Sequence, residues 1–158
     1  MLKQTSIALA ALAVGISGAA TAQDIFGEPN SGTVVLEANF SDDPNTTEVI
    51  SGGEISAGQS VSTCDGYISE DPDVRLNFTA SGDADAYPLY ISVDSEEDTT
   101  LVINAPDGQW YCNDDGGDGN NPLVVFGPAQ SGDYEIWVGS YDEGQYHEAT
   151  LRISELGS

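Results

Sequence analysis

The sequence has almost no positive charge. Three Lys+Arg residues stand against 27 Asp+Glu in 158 residues, a formal net charge of −24. One of the three, Lys3, lies in a segment expected to be removed, which leaves Arg75 and Arg152 to face all the acids. Phosphate backbones are held by clustered Lys and Arg, so nucleic acid is excluded as a partner. The same shortage argues against docking on anionic lipid. Histidine is scarce too, since His147 is the single one, and a zinc site needs more His or Cys than this. Only two cysteines occur, Cys64 and Cys112, without C-x-x-C spacing, so a redox or metal-binding thiol pair is disfavoured. After residue 22 no apolar run is long enough to span a bilayer. No window there carries a capped apolar stripe of helical period. Yet 39% of residues are hydrophobic and only 19% are charged, so this is not a disordered acidic tail.

The first 22 residues have the plan of a secretory signal. Met1-Leu2-Lys3 supplies a positive start, Ile7 to Ile16 an apolar stretch, and Ala20-Thr21-Ala22 an A-x-A cleavage site. The expected organisation is therefore a signal over 1–22 and one domain over 23–158, exported to the periplasm or the medium. No membrane insertion is expected after cleavage. In an oxidising compartment an even pair of cysteines reads as a structural disulfide, Cys64 with Cys112. Closing a loop of about fifty residues would contribute roughly 4 kcal/mol in the chain-entropy model.

The rest of the chain is patterned with period two. Val74, Leu76 and Phe78 alternate with Arg75 and Asn77; Leu89, Ile91 and Val93 with Tyr90 and Ser92. Tyr134, Ile136 and Val138 alternate with Glu135 and Trp137, and Ala149, Leu151 and Ile153 with Thr150 and Arg152. One apolar and one polar face per run is what half-buried antiparallel strands require. Less regular runs at 33–36, 47–50, 99–103 and 123–126 bring the expected count to about eight strands. Gly/Asp/Asn/Pro/Ser clusters separate them at the short spacing of a sandwich. The fold class expected is all-β, a single antiparallel, jelly-roll-like β-sandwich.

Chemistry concentrates in one acid-rich segment, Asp107 to Asn121. It holds Asp114, Asp115 and Asp118 with Asn113, Asn120 and Asn121 among glycines. Calcium takes six to eight oxygen ligands, from carboxylates, amides and carbonyls on a loop able to curl, and glycine permits the curl. The candidate metal ligands are Asn113, Asp114, Asp115, Asp118 and Asn120, with calcium as the ion. The competing reading is a solvated Asx/Gly turn whose acids serve solubility. The EF-hand spacing is absent, and a nonapeptide β-roll would need several stacked copies where only one is present. Further acids at Asp42-Asp43, Glu70-Asp71-Asp73, Asp83 with Asp85, and Glu96-Glu97-Asp98 fit loop ends, any of which could lend a ligand.

Trp110, Trp137 and Tyr141 are candidates for surface recognition of a protein or a glycan, because exposed aromatics stack on sugars and anchor partners. Trp137 alternates out of phase with Tyr134, Ile136 and Val138, which puts it outside unless a second layer or long loop covers it. A catalytic reading finds little: His147 would have to be the base, and no G-x-S-x-G or G-D-S-G-G motif supplies a nucleophile. Among so many acids, close carboxylate pairs arise by chance, and none has an identifiable catalytic context.

The run from Asp98-Thr99-Thr100-Leu101 through Asn113-Asp114-Asp115-Gly116 to Ser131-Gly132-Asp133-Tyr134-Glu135-Ile136-Trp137-Val138 resembles the bacterial pre-peptidase C-terminal domain. That family shows a D-T-x-L strand, an N-D-D-x-G loop and a P-x-x-G-x-Y-x-I-x-V strand in this order. The resemblance spans about residues 71–156. It implies a secreted jelly-roll-like sandwich carried as an appendage on peptidases, with calcium and collagen binding in some relatives such as collagenases. The chain departs from the family in lacking a catalytic domain and in its cysteine pair. The resulting expectation is a stand-alone, exported, non-catalytic module, calcium-binding and serving protein or glycan recognition. The alternatives are a secreted hydrolase and a ligand-free structural protein of the envelope.

Overall fold

The computed structural model describes residues 23–82 and 87–157. The proposed signal over 1–22 and the acids Asp83 and Asp85 lie outside the described residues. Eleven strands are present among them: β1 (Thr33–Glu37), β2 (Asn45–Ser51), β3 (Ile55–Ser56), β4 (Tyr67–Ile68), β5 (Val74–Thr79), β6 (Leu89–Asp94), β7 (Thr99–Asn104), β8 (Trp110–Asn113), β9 (Leu123–Phe126), β10 (Gly132–Ser140) and β11 (His147–Ser154). A single helical turn, α1 (Ala57–Ser60), follows β3. They form two sheets, which is the expected β-sandwich. The first contains β1-β5-β10-β7-β8, extended beside β10 by the β4–β3 pair; the second runs β2-β11-β6-β9.

Each alternating run forms a strand as expected, and so do the four less regular ones. The runs that went unseen are short: β3 and β4 have two residues each, and β8 has four without an apolar alternation. The sheets are also not purely antiparallel. β1 pairs with β5 in parallel, Thr33 opposite Arg75 through Glu37 opposite Thr79. A parallel neighbour needs a long crossover rather than a hairpin, and β2 to β4 supply that excursion.

The main core lies between the sheets. Leu76, Phe78, Leu101, Ile103, Tyr134, Ile136 and Val138 from the first face Leu89, Ile91, Val93, Phe126, Leu151 and Ile153 from the second. The Tyr111, Phe126 and Tyr134 rings meet edge to face, at centroid distances of 4.9 and 5.0 Å, a favoured quadrupole arrangement. The Tyr134 hydroxyl donates to the Gln130 carbonyl at 2.9 Å and accepts its N–H at 3.0 Å, so the ring is buried without a stranded polar atom.

A second, smaller core covers part of the outer face of the first sheet. Trp137 and Val102 point out there and are roofed by Ala57, Cys64 and Ile68. This corrects the one-sided reading of β10, which is buried on both faces from Tyr134 to Ser140; β7 is likewise buried on both faces from Thr99 to Ile103. The physical reason is the segment between β2 and β5, which folds over the sheet instead of into solvent. Cys64 and Cys112 are joined as expected, with Cα atoms 5.5 Å apart, fastening that roof to β8. Gly139 allows the close approach, since a Cβ there would fall 2.8 Å from the Tyr67 carbonyl oxygen.

Between its pairings with β5 and β4, one edge of β10 would be left open at Val138. Asp73 fills the gap: its Oδ2 accepts the Val138 N–H at 2.8 Å, while Gly52 donates its N–H to the Val138 carbonyl at 3.0 Å. Asp73 is 3% exposed, and burial pushes its pKa up to about 6 against the lowering effect of the Val138 and Asn30 hydrogen bonds.

Candidate functional site

The acid-rich segment does not fold as one loop. Asn113 ends β8, and its Oδ1 accepts the N–H of Gly116 at 2.6 Å and of Leu123 at 3.0 Å. That amide oxygen braces the turn from within. Asn121 is 9% exposed and does the same at the other end, accepting from the Thr99 hydroxyl at 3.0 Å and donating to the Ser95 carbonyl at 2.9 Å. The asparagines therefore set the path of the turn between β8 and β9, as Asx residues commonly do.

The far half of that turn faces the β6–β7 connection across an open groove of about 980 Å³. Its walls carry Asp94, Glu96, Glu97, Asp98 and Asp118, with Asn120 and Arg152. Of the five expected metal ligands, only Asp118 and Asn120 border this groove, whereas Asn113, Asp114 and Asp115 do not. The turn thus separates the acids that adjacency in sequence had grouped. Asp98 also lines the groove. Its Oδ2 accepts from the Asn120 amide at 3.1 Å, and its Oδ1 is buried without a hydrogen-bond partner. The signal for Asp98 was present in the Glu96-Glu97-Asp98 run, but nothing in the spacing singled it out.

Whether these groups fit calcium is decided by convergence. Among the described residues no three Asp, Glu, His or Cys side chains meet at a common point, so a ready-made carboxylate cage is absent. What the groove offers is one carboxylate oxygen without a partner, Asp98 Oδ1, and further acids on its walls.

The aromatic candidates separate as well. Trp137 is 0% exposed, packed against Trp110 with ring centroids 5.5 Å apart and a 38° tilt, and both belong to the second core. Trp137 is thereby corrected from a surface residue to a core residue, because the roof covers it. Tyr141 remains in solvent at 46% exposure. Tyr146, at 52%, is exposed too, and its hydroxyl donates to Glu54 at 2.7 Å; the exposed rings that were missed are Phe26, at 86%, and Tyr87, at 56%. Phe26 escaped notice because it stands next to the expected cleavage site, outside any alternating run. His147 opens β11 opposite Ser51 of β2, ahead of the stretch from Thr150 onward where β11 also pairs with β6.

The fold defines the molecule as a β-sandwich with open grooves on its surface. No family model matches the chain, and no curated relative does. Among solved structures the chain is similar to the pre-peptidase C-terminal domain of collagenase from Bacillus anthracis. The identity is 18%, the TM-score is 0.40, and the match covers 81% of this chain and 98% of that one. A likeness of that size decides neither membership nor function, and the β-sandwich class rests on the two sheets themselves. No helix among the described residues is long and apolar enough to cross a membrane.

Proposed function

We propose that the chain is an exported, non-catalytic β-sandwich module that recognises a protein or a glycan. The observation that carries this reading is the set of large rings left in solvent by an otherwise closed sandwich: Phe26 at 86%, Tyr87 at 56%, Tyr146 at 52% and Tyr141 at 46%. Exposed aromatic surface is the usual anchor of an interface. Export is supported by the composition of residues 1–22 and by a disulfide, which persists in oxidising compartments. The competing hydrolase reading makes a distinct demand. Incubation with peptide, ester and oligosaccharide panels is expected to give no product, and turnover that disappears in His147→Ala would overturn the non-catalytic reading.

The orphaned Asp98 oxygen favours a second element, a weak calcium site in the acidic groove. Asp98 and Asp118 would hold the ion, with Asn120 keeping Asp98 in place. The ion would neutralise part of the acidic wall and order the turn, coupling stability to metal concentration. Millimolar calcium is then expected to raise the melting temperature of the wild type. Asp98→Asn should remove that rise, while Asp114→Ala with Asp115→Ala should leave it. A wild type indifferent to calcium would sink this element.

A further inference from the structure

The second core covers only part of the outer face of the first sheet, and the uncovered part holds a groove of about 590 Å³, a size usual for small-ligand sites. Its floor is set by strand register. Glu135 of β10 lies opposite Arg75 of β5 on one side and Asn104 of β7 on the other, so three polar side chains stand abreast on rigid backbone. Asp133 is one pleat away, accepting from the Asn77 amide at 2.7 Å. Pro106 and Gly108, from the turn between β7 and β8, form one wall.

The other wall is a turn over 24–27 that holds Phe26 out. The Gly27 N–H closes it on the Asp24 carbonyl at 3.1 Å, and Asp24 Oδ1 accepts the Phe26 N–H at 2.9 Å, a common turn with its Asx brace. Three ties fix it to the sandwich. Asp24 donates its N–H to the Glu70 carbonyl at 2.9 Å, Ile25 packs against the second core, and Arg75 Nη2 donates to the Gly27 carbonyl at 3.1 Å. An 86% exposed ring is therefore presented by an anchored turn.

The floor contains an unmet demand. Arg75 Nε donates to Glu135 Oε1 at 2.6 Å. Glu135 itself is only 7% exposed, and its Oε2 has no hydrogen-bond partner. Buried carboxylate oxygens in native structures are nearly always satisfied, so this one points to a donor supplied from outside. The charges narrow what the donor belongs to. An anion would meet Glu135, Asp133 and Glu28; a second cation would meet the Arg75 guanidinium, whose bond to Glu135 keeps it firmly protonated. A neutral ring bearing hydroxyls meets neither obstacle. It brings donors for Glu135 and Asp133, acceptors for Arg75 and Asn104, and a C–H face for Phe26.

We propose that this groove binds a neutral sugar unit of a glycan, which rests on the recognition reading above and assigns it a surface and a ligand class. Calorimetric titration of the full chain with maltohexaose, cellohexaose and chitohexaose tests it. Pentalysine and trigalacturonate serve as charged controls. At least one neutral oligosaccharide is expected to bind, and Phe26→Ala should weaken it about tenfold or more. Glu135→Gln should weaken it similarly. Because the Phe26 ring is in solvent, Phe26→Ala should melt with the wild type, which keeps the binding loss interpretable. Saccharide binding untouched by Phe26→Ala and Glu135→Gln would overturn this groove and leave the recognition reading standing. A preference for pentalysine, or no neutral saccharide binding up to about 10 mM, would overturn the sugar assignment. Shortened oligosaccharides in the same samples would overturn the non-catalytic reading as well.

Discussion

The two cores of this molecule are built differently, although they share β10 and β7. The inter-sheet core is apolar, and its one large polar side chain, Tyr134, has both roles of its hydroxyl met by Gln130. The outer core is small and polar at its margins: the Trp137 indole Nε1 and the Thr100 Oγ1 are buried there without a partner. Each unmet group costs about 1–3 kcal/mol. The first core therefore holds by apolar area. The second depends on a covalent tie, Cys64 to Cys112, which limits how far its roof can move when the chain unfolds.

That contrast can be broken experimentally. Trp137→Ala should cost about 4 kcal/mol in denaturant unfolding of the oxidised protein and less once the disulfide is reduced, because roof and indole act together. Leu151→Ala, in the inter-sheet core, should cost about 3 kcal/mol with or without reductant. Equal sensitivity of both variants to reductant would erase the distinction. Replacing both cysteines by serine should lower stability by roughly 3 kcal/mol and weaken the near-ultraviolet dichroism of the tryptophans, with the far-ultraviolet strand signal retained.

Asp73 sits where the two cores join, and its contribution is read by pH. A folded pKa of about 6 against 3.8 unfolded means that the native state binds this proton more tightly. The stabilisation is complete below pH 3.8 and is lost as pH rises through 6. A shift of two units corresponds to about 3 kcal/mol at most. Asp73→Asn keeps an acceptor for the Val138 N–H without the buried charge. Its stability relative to wild type should therefore climb between pH 4 and pH 7, and a flat difference would refute the assignment. Smallest of all, Arg152→Ala should change stability by less than about 0.5 kcal/mol, since its 3.9 Å pair with Asp94 lies in solvent.

Legibility in the sequence followed the same division. Val74-Leu76-Phe78 and Leu89-Ile91-Val93 show their strands because each has one wet face, and a wet face is written as alternation. β10 shows a strand but hides its double burial, because Glu135 and Trp137 could equally have faced water. β3 and β4 are too short to carry a period. The metal-ligand expectation grouped Asn113, Asp114, Asp115, Asp118 and Asn120 by adjacency. Folding spends Asn113 on the backbone, and Asp114 and Asp115 are not among the residues that line the groove that Asp118 borders. Phe26, Arg75, Glu135 and Asn104 were unreadable as a set, being spread from one end of the chain to the other.

Taken alone, the sequence determined the β class, the one apolar face of most strands and the pairing of its only two cysteines. These are local or compositional properties, settled by period and count. The tertiary structure decided the parallel β1–β5 pair, the roof over Trp137, the raised pKa of Asp73 and the meeting of Phe26 with the Arg75–Glu135 pair. Each of these depends on which distant segments become neighbours, and chain closure over tens of residues leaves no mark in a local pattern.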